Sequence, residues 1–128
     1  MSTRTVLRPY TSSLDMASTG NTSATVLQGL SMVSYAITWT GTSPTGTLAL
    51  EISNDYALDP NGQIANAGTW NIAPINVNGA LQTSASISGN SGNGFFDVTA
   101  TGAYACRLLY TASGGTGTMT ITVAGKVA

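Results

Sequence analysis

Four basic and five acidic side chains, one cysteine and no histidine are all that this chain of 128 residues offers to acid–base, nucleophilic or metal chemistry. Three groupings have suitable types. Asp55, Asp59 and Asn61 could turn oxygens toward Ca²⁺, which takes about six to eight oxygen ligands. The loop Asp59-Pro60-Asn61-Gly62 lacks the closing Glu of an EF-hand, however, and each of its residues favours a plain turn. Glu51 with Asp97 is the one carboxylate pair on strand-like segments. Glycoside hydrolysis needs two carboxylates roughly 5 to 10 Å apart across a cleft. The alternation around Glu51 sets it on the outward parity, where a solvated or ion-paired carboxylate is the simpler reading. Cys106 would need a neighbouring base to act as a nucleophile, and there is no histidine to supply one. The expectation is a protein that is not an enzyme, with no catalytic residue, no metal and no cofactor.

Aromatic side chains are the remaining candidates, because Trp and Tyr rings stack on sugars and anchor protein contacts. Tyr35, Trp39, Tyr104 and Tyr110 fall on the apolar parity of their segments and read as core. Tyr56 and Trp70 lie in or beside loops and read as freer surface anchors, for sugar or for protein. Arg107 sits mid-strand on a nearly uncharged surface and needs a partner. Glu51 on an adjacent strand is the natural one, and an intersubunit pairing is the alternative. The glycine-rich run Ser88 to Gly94 has neither the helix start nor the Lys of a phosphate cradle and reads as a flexible surface loop. Asn21-Thr22-Ser23 fits a glycosylation sequon but comes without a secretory signal to give it meaning.

Charge and length bound the rest. One domain with one core fits this length. The charged fraction is 7%, against about 25% in ordinary soluble domains, and the formal net charge is −1. Repulsion between monomers is therefore weak. Either much of the surface is covered in an assembly, or Thr, Ser and Asn alone keep an extracellular domain in solution. Nucleic acid is an unsuitable partner, since Arg4, Arg8, Arg107 and Lys126 are too few and too scattered to displace counterions from a duplex. A single cysteine excludes an intrachain disulfide. No apolar run is long enough for a transmembrane helix, so no membrane is expected. Met1 to Tyr10 lacks the apolar stretch of a signal peptide.

Alternation with period two dominates the chain. Val33, Tyr35, Ile37 and Trp39 share one parity, followed by a Gly/Pro/Ser turn over Gly41 to Gly46, then Leu48, Leu50 and Ile52. These two runs read as an antiparallel hairpin. Tyr104, Cys106, Leu108 and Tyr110, then the turn Ser113 to Gly117, then Met119, Ile121 and Val123 read as a second hairpin with a glycine-rich turn. The face carrying Leu109 is not purely polar, so part of it is expected to be covered. Shorter candidates lie at Thr5 to Tyr10, Ala24 to Gln28, Gly68 to Ala73, Leu81 to Ser88 and Gly94 to Thr99. Asn54 to Ala80 reads as loops around one strand bearing Trp70. The sum is an all-β, antiparallel, jelly-roll-like β-sandwich of about eight strands over residues 24–128. Residues 1–23 are an extended N-terminal arm and linker, with a short helix around Leu14 to Ala17 as an option.

Two runs carry a resemblance: Ile37 to Thr47 leading into Glu51-Ile52-Ser53-Asn54-Asp55, and Ala103 to Thr118 followed by Gly125-Lys126. Their order is a Trp-bearing strand, a Gly-Thr turn, a strand ending in Ser-Asn-Asp, a distant Trp, an Arg-bearing strand and a Gly-rich hairpin. From about Ser31 to Lys126 this resembles the small β-sandwich virion proteins of tailed bacteriophages, of the capsid decoration (cement) kind or of fibre and tail parts. The resemblance implies no enzyme activity and no cofactor. It implies a dimer or trimer on the capsid surface, assembled in the host cytoplasm and bridging subunits of the major capsid protein. A tail or head fibre, or a carbohydrate-binding module, is the alternative. Stable contacts of this kind bury about 1,600 Å², and symmetry repeats them. The arm would lie on a neighbour through Val6, Leu7 and Tyr10, with Arg4 and Arg8 against acidic patches. Tyr56 and Trp70 complete the candidate interaction residues.

Overall fold

The computed structural model describes the backbone of residues 6–30, 32–77, 80–99 and 103–126, with side chains except at 6–9 and 99. Every regular element in it is a strand. In chain order these are β1 (Val6–Asp15), β2 (Gly20–Asn21), β3 (Thr25–Val26), β4 (Met32–Ser53), β5 (Ala57–Leu58) and β6 (Ile64–Asn66). Then come β7 (Asn71–Ala73), β8 (Ile75–Val77), β9 (Ala80–Gln82), β10 (Ala85–Ile87), β11 (Ser91–Thr99) and β12 (Ala105–Lys126). The all-β, antiparallel, sandwich-like architecture expected from the alternation is what the chain adopts.

The connectivity differs from two hairpins. β4 and β12 are each 22 residues long and pair with one another throughout, from Ala105 opposite Ser53 to Lys126 opposite Met32. Gly41 to Gly46 and Ser113 to Gly117 therefore do not reverse the chain. They form a corner in a long two-stranded ribbon, marked by register shifts between Ala112 and Thr116. Beyond the corner the ribbon folds back over itself. The first half of β4 lies between β11 and the second half of β12, and β1 lies outside that half of β12. β8 and β9 extend the layer past β11. In the other layer the second half of β4 is flanked by β10 and β7, and the first half of β12 by β2 and β3.

A reversal and a corner share a sequence signature, and the backbone geometry explains why a corner won. At Gly41 a Cβ would run into the Thr116 carbonyl, and at Gly117 into the Thr40 carbonyl. Gly115 has φ of 73° and faces the Ser43 carbonyl, where any side chain is excluded. The two strands touch backbone to backbone here, which bulges and glycines permit. Asn90 clamps the outside: its carbonyl accepts from the Gly41 N–H at 2.8 Å and its Oδ1 from the Ser43 N–H at 2.8 Å. Ser88 to Gly94 is thus not a loose loop. β11 starts within it at Ser91, Gly92 seats the Trp39 ring where a Cβ would collide, and Trp39 Nε1 donates to the Gly89 carbonyl at 3.2 Å.

One core joins the layers. Tyr35, Ile37, Trp39, Leu48, Leu50, Leu108, Tyr110, Met119 and Ile121 belong to it, along with Ile75 and Phe96 from β8 and β11. Two side-chain contacts run across the layers. The Tyr35 hydroxyl meets Cys106 Sγ at 3.2 Å, and the Tyr10 hydroxyl meets Thr25 Oγ1 at 2.8 Å. Burial pushes the Tyr35 hydroxyl and the Cys106 thiol above their ordinary ranges, so both stay protonated. The Tyr110 hydroxyl, buried beside Gly46, has no partner among the described residues.

The N-terminal segment also departs from expectation. Where Thr11 to Ser23 reads as a linker with a possible helix at Leu14 to Ala17, β1 continues as strand to Asp15, and a turn follows with the Met16 N–H on the Gly117 carbonyl at 2.8 Å. Met16 is fully buried. Tertiary pairing along β12 outweighs the weak local preference of this polar segment. Tyr104, expected in the core, is 38% exposed because it precedes β12. The corner yields a direct test. Gly41→Ala should lose several kcal/mol in chemical denaturation, because backbone must move to admit the Cβ. Gly62→Ala, at φ of 81° but in open space, should cost only about 1 kcal/mol.

Candidate interaction surfaces

Side chains of Ala49, Glu51 and Ser53 point away from the core, opposite in parity to Leu48 and Leu50, yet all three are buried. The excursion from Asn54 to Ala73 packs over Ser53 and reaches the Glu51–Arg107 pair. Ser53 Oγ accepts the N–H groups of Asp55 and Tyr56 at 3.3 and 3.2 Å and donates to Asp55 Oδ1 at 2.8 Å. The other end of the excursion returns to the same carboxylate: the Thr69 N–H donates to Asp55 Oδ1 at 2.6 Å and its hydroxyl to Oδ2 at 2.9 Å. Those bonds, the Thr69 N–H foremost, hold the Asp55 carboxyl below its ordinary range. Gly68, at φ of 86°, lets Trp70 turn inward past Ser53 and Tyr56.

Trp70 lands on Arg107. The guanidinium carbon sits 4.2 Å from the indole ring centre, and Arg107 Nε donates to Glu51 Oε1 at 2.9 Å. Arg107 and Glu51 are direct cross-strand neighbours, as their parity suggested. Tyr56 packs on the far side of this group, its ring centre 5.8 Å from that of Trp70 at 55°. Glu51, Arg107, Trp70 and Tyr56 thus form one ladder that pins the excursion to the sheet. The expectation of two free aromatic anchors is corrected: the two rings do come together, but Tyr56 is buried at 9% exposure and one face of Trp70 is occupied. Each ring meets intramolecular demand, an aromatic pair and a cation–π contact in reach of an ion pair.

The remaining chemistry-bearing residues are placed as follows. Asp97 lies on β11 opposite Ser34 and Asn76, in the layer that does not contain Glu51. Asp59 Oδ1 accepts the N–H groups of Asn61 and Gln63 at 2.8 and 2.9 Å, closing the tip turn between β5 and β6. Asp59 holds the N–H groups of its own turn, and Asp55 holds the N–H of Thr69 at the other end of the excursion. A cleft of about 240 Å³ runs along Ser53, Asn54, Asp55, Thr69 and Asn71. Arg4 lies outside the described residues; Val6, Leu7 and Arg8 are placed by backbone only, within β1. Tyr10 turns its ring along the core-facing side of β1 toward Thr25. The arm from Val6 onward is therefore a paired strand.

Exposed apolar side chains that the sequence reading passed over stand on two surfaces. Phe95 (61% exposed) and Leu81 (75%) rise from the outer face of the first layer. Leu58, Ile64 and Ile72 stand exposed on the excursion. Phe95 was legible in principle: with Phe96 next to it on a strand, period two must send one ring outward. The outer face around Phe95 carries one carboxylate, Asp97, exposed in line with Asn76 and Leu81, and is otherwise built of hydroxyls, Thr38, Thr40, Thr118, Thr120 and Thr122 on the two central strands.

Two outcomes follow from the ladder. Arg107→Ala should cost about 1–2 kcal/mol and red-shift Trp70 emission, and a double-mutant cycle with Trp70→Ala should be non-additive, as stacked partners require. A folded-state pKa below the unfolded value of 3.8 means that Asp55 adds stability that is fully present above pH 3.8 and lost as pH falls through its folded value. Acid titration below pH 3.8, followed by proteolysis of the excursion, should therefore show loosening that Asp55→Asn removes; equal acid sensitivity in the two proteins would contradict the assignment.

No family model and no curated protein matches the sequence. Among solved structures, the crystal structure of the SPBc2 prophage-derived protein YomS is similar in fold, with a TM-score of 0.50 and 14% identity over 92% of this chain and 96% of that one. The likeness is one of fold, over nearly the whole of both chains.

Proposed function

We propose that this protein is a structural component of a bacteriophage virion, acting as a capsid decoration protein that bridges major capsid protein subunits as a small oligomer. The observation that carries the reading is a surface nearly without charge on which large apolar side chains stand exposed, Phe95 and Leu81 on one face and Ile64 and Ile72 on another. Burying a wholly exposed side chain of this size is worth about 1.5–3 kcal/mol, and these, more than half exposed, gain a corresponding part of it when covered. Contacts of moderate strength, repeated by symmetry, add as avidity. The similarity in fold to a prophage-derived protein supports the phage setting. The titratable groups support a non-enzymatic role, because Glu51, Asp55 and Asp59 are engaged in holding the fold.

The alternative of a carbohydrate-binding module finds less support at the site first proposed for it. A sugar platform needs open ring faces, and the Trp70 face is shared with Arg107 while Tyr56 is buried. The deciding experiment is copurification with capsids. Wild-type protein should bind in stoichiometric amounts and raise the temperature of capsid disruption, and Phe95→Ser with Leu81→Ser should lower occupancy at least tenfold without unfolding the sandwich. A protein that never sediments with capsids would refute the reading.

A further inference from the structure

Among the described residues, the middle of β1 presents a regular outer edge that no strand covers. Among the described residues β1 has β12 as its one strand partner, so its other side is a sheet edge. Edges pair with other chains unless they are short, bulged, charged or broken by Pro. The other edge strands meet that rule: β2 and β3 have two residues each, and β7, β9 and β10 have three. The free stretch of β11 carries Gly92 and Gly94, which weaken pairing. β1 is guarded at its start, by Pro9 and by a register shift between Leu7 and Tyr10, and at its end by Asp15. Between those guards, Tyr10 to Leu14 is regular, free of charge, and without Pro or Gly.

We propose that this stretch is a self-pairing seam, at which β1 of one copy joins β1 of a second copy, antiparallel, about a two-fold axis at Ser12. A two-fold interface must be self-complementary, and the sides of this strand meet that condition. Tyr10 and Leu14 share the core-facing side, opposite Val123 and Met119, while Thr11 and Ser13 share the outer side, opposite Thr122 and Thr120. The axis sets Tyr10 against Leu14 of the second copy, an aromatic–aliphatic pair, and Thr11 against Ser13, a hydroxyl pair. Tyr10 is 36% exposed and Leu14 half-buried, so each has surface left to cover. In this register Asp15 falls opposite Pro9 of the second copy, next in sequence to Arg8, so an acidic and a basic position adjoin at each end of the seam. The result is one sheet running through both copies, with their threonine-rich outer faces continuous.

This deepens the oligomer element of the function proposed above, and it fails independently, since solution mass is measured without capsids. Sedimentation of the full chain should give twice 13.0 kDa at high concentration. Thr11→Lys with Ser13→Lys sets like charges opposite each other at both places and should give the monomer mass. Thr11→Asp with Ser13→Lys sets opposite charges there and should keep the dimer. Both variants lose the same Thr11–Thr122 hydroxyl contact at 3.2 Å, so comparable thermal unfolding shows that they differ at the seam alone. A monomeric wild type overturns the proposal. So does a dimer that survives the double Lys change, or one that the charge-paired variant fails to keep.

Discussion

The fold depends on the backbone contact at the corner of the β4–β12 ribbon. Two strands of 22 residues can pair from end to end and still form a sandwich only if the ribbon bends sharply in the middle. The bend brings Gly41 onto Thr116, Gly117 onto Thr40 and Gly115 onto Ser43, each without room for a Cβ. Packing follows from it. With the corner made, alternate residues of both half-ribbons face one another, and the Tyr35 hydroxyl reaches Cys106 from the opposite layer. The short strands then tile the edges, giving up length while β4 and β12 carry the hydrogen-bonding ladder.

A sheet built this way has two outer faces, and they are treated differently. One is covered by the chain itself, through Asp55 and Thr69 at the base of the excursion and the Glu51–Arg107–Trp70–Tyr56 ladder on top. An ion pair at a surface is worth little alone, about 0–1 kcal/mol. Here it is half-buried under an indole ring, where cation–π contact and ring packing add to it. The other face is left to solvent and carries hydroxyls with Phe95 and Leu81 among them. With few charges to resist association, whatever covers that face is resisted mainly by ordering and desolvation costs. The same economy of charge explains why carboxylates that resemble a metal or acid–base site are found closing turns and pinning loops.

Much of this protein was legible from its residues alone. Period-two alternation marks the long strands and most of the side chains that enter the core between them: Tyr35, Trp39 and Tyr110 fall on the inward parity and are buried, whereas Tyr104 shares that parity and is exposed. Glu51 was the natural partner for Arg107 on an uncharged sheet, with an intersubunit pairing as the alternative, and the cross-strand register decides for Glu51. Tertiary structure alone decided how the strands connect, because glycines and prolines mark a hairpin and a corner with the same local chemistry, and only the long-range pairing of β4 with β12 distinguishes them. It also decided that Tyr56 is buried, that Arg107 takes one face of Trp70, and that the N-terminal segment joins the sheet. Local sequence specifies the parity of a side chain, while the partner that covers it comes from residues distant in the chain: Arg107 for Trp70, β12 for β1, and Asn90 for the corner.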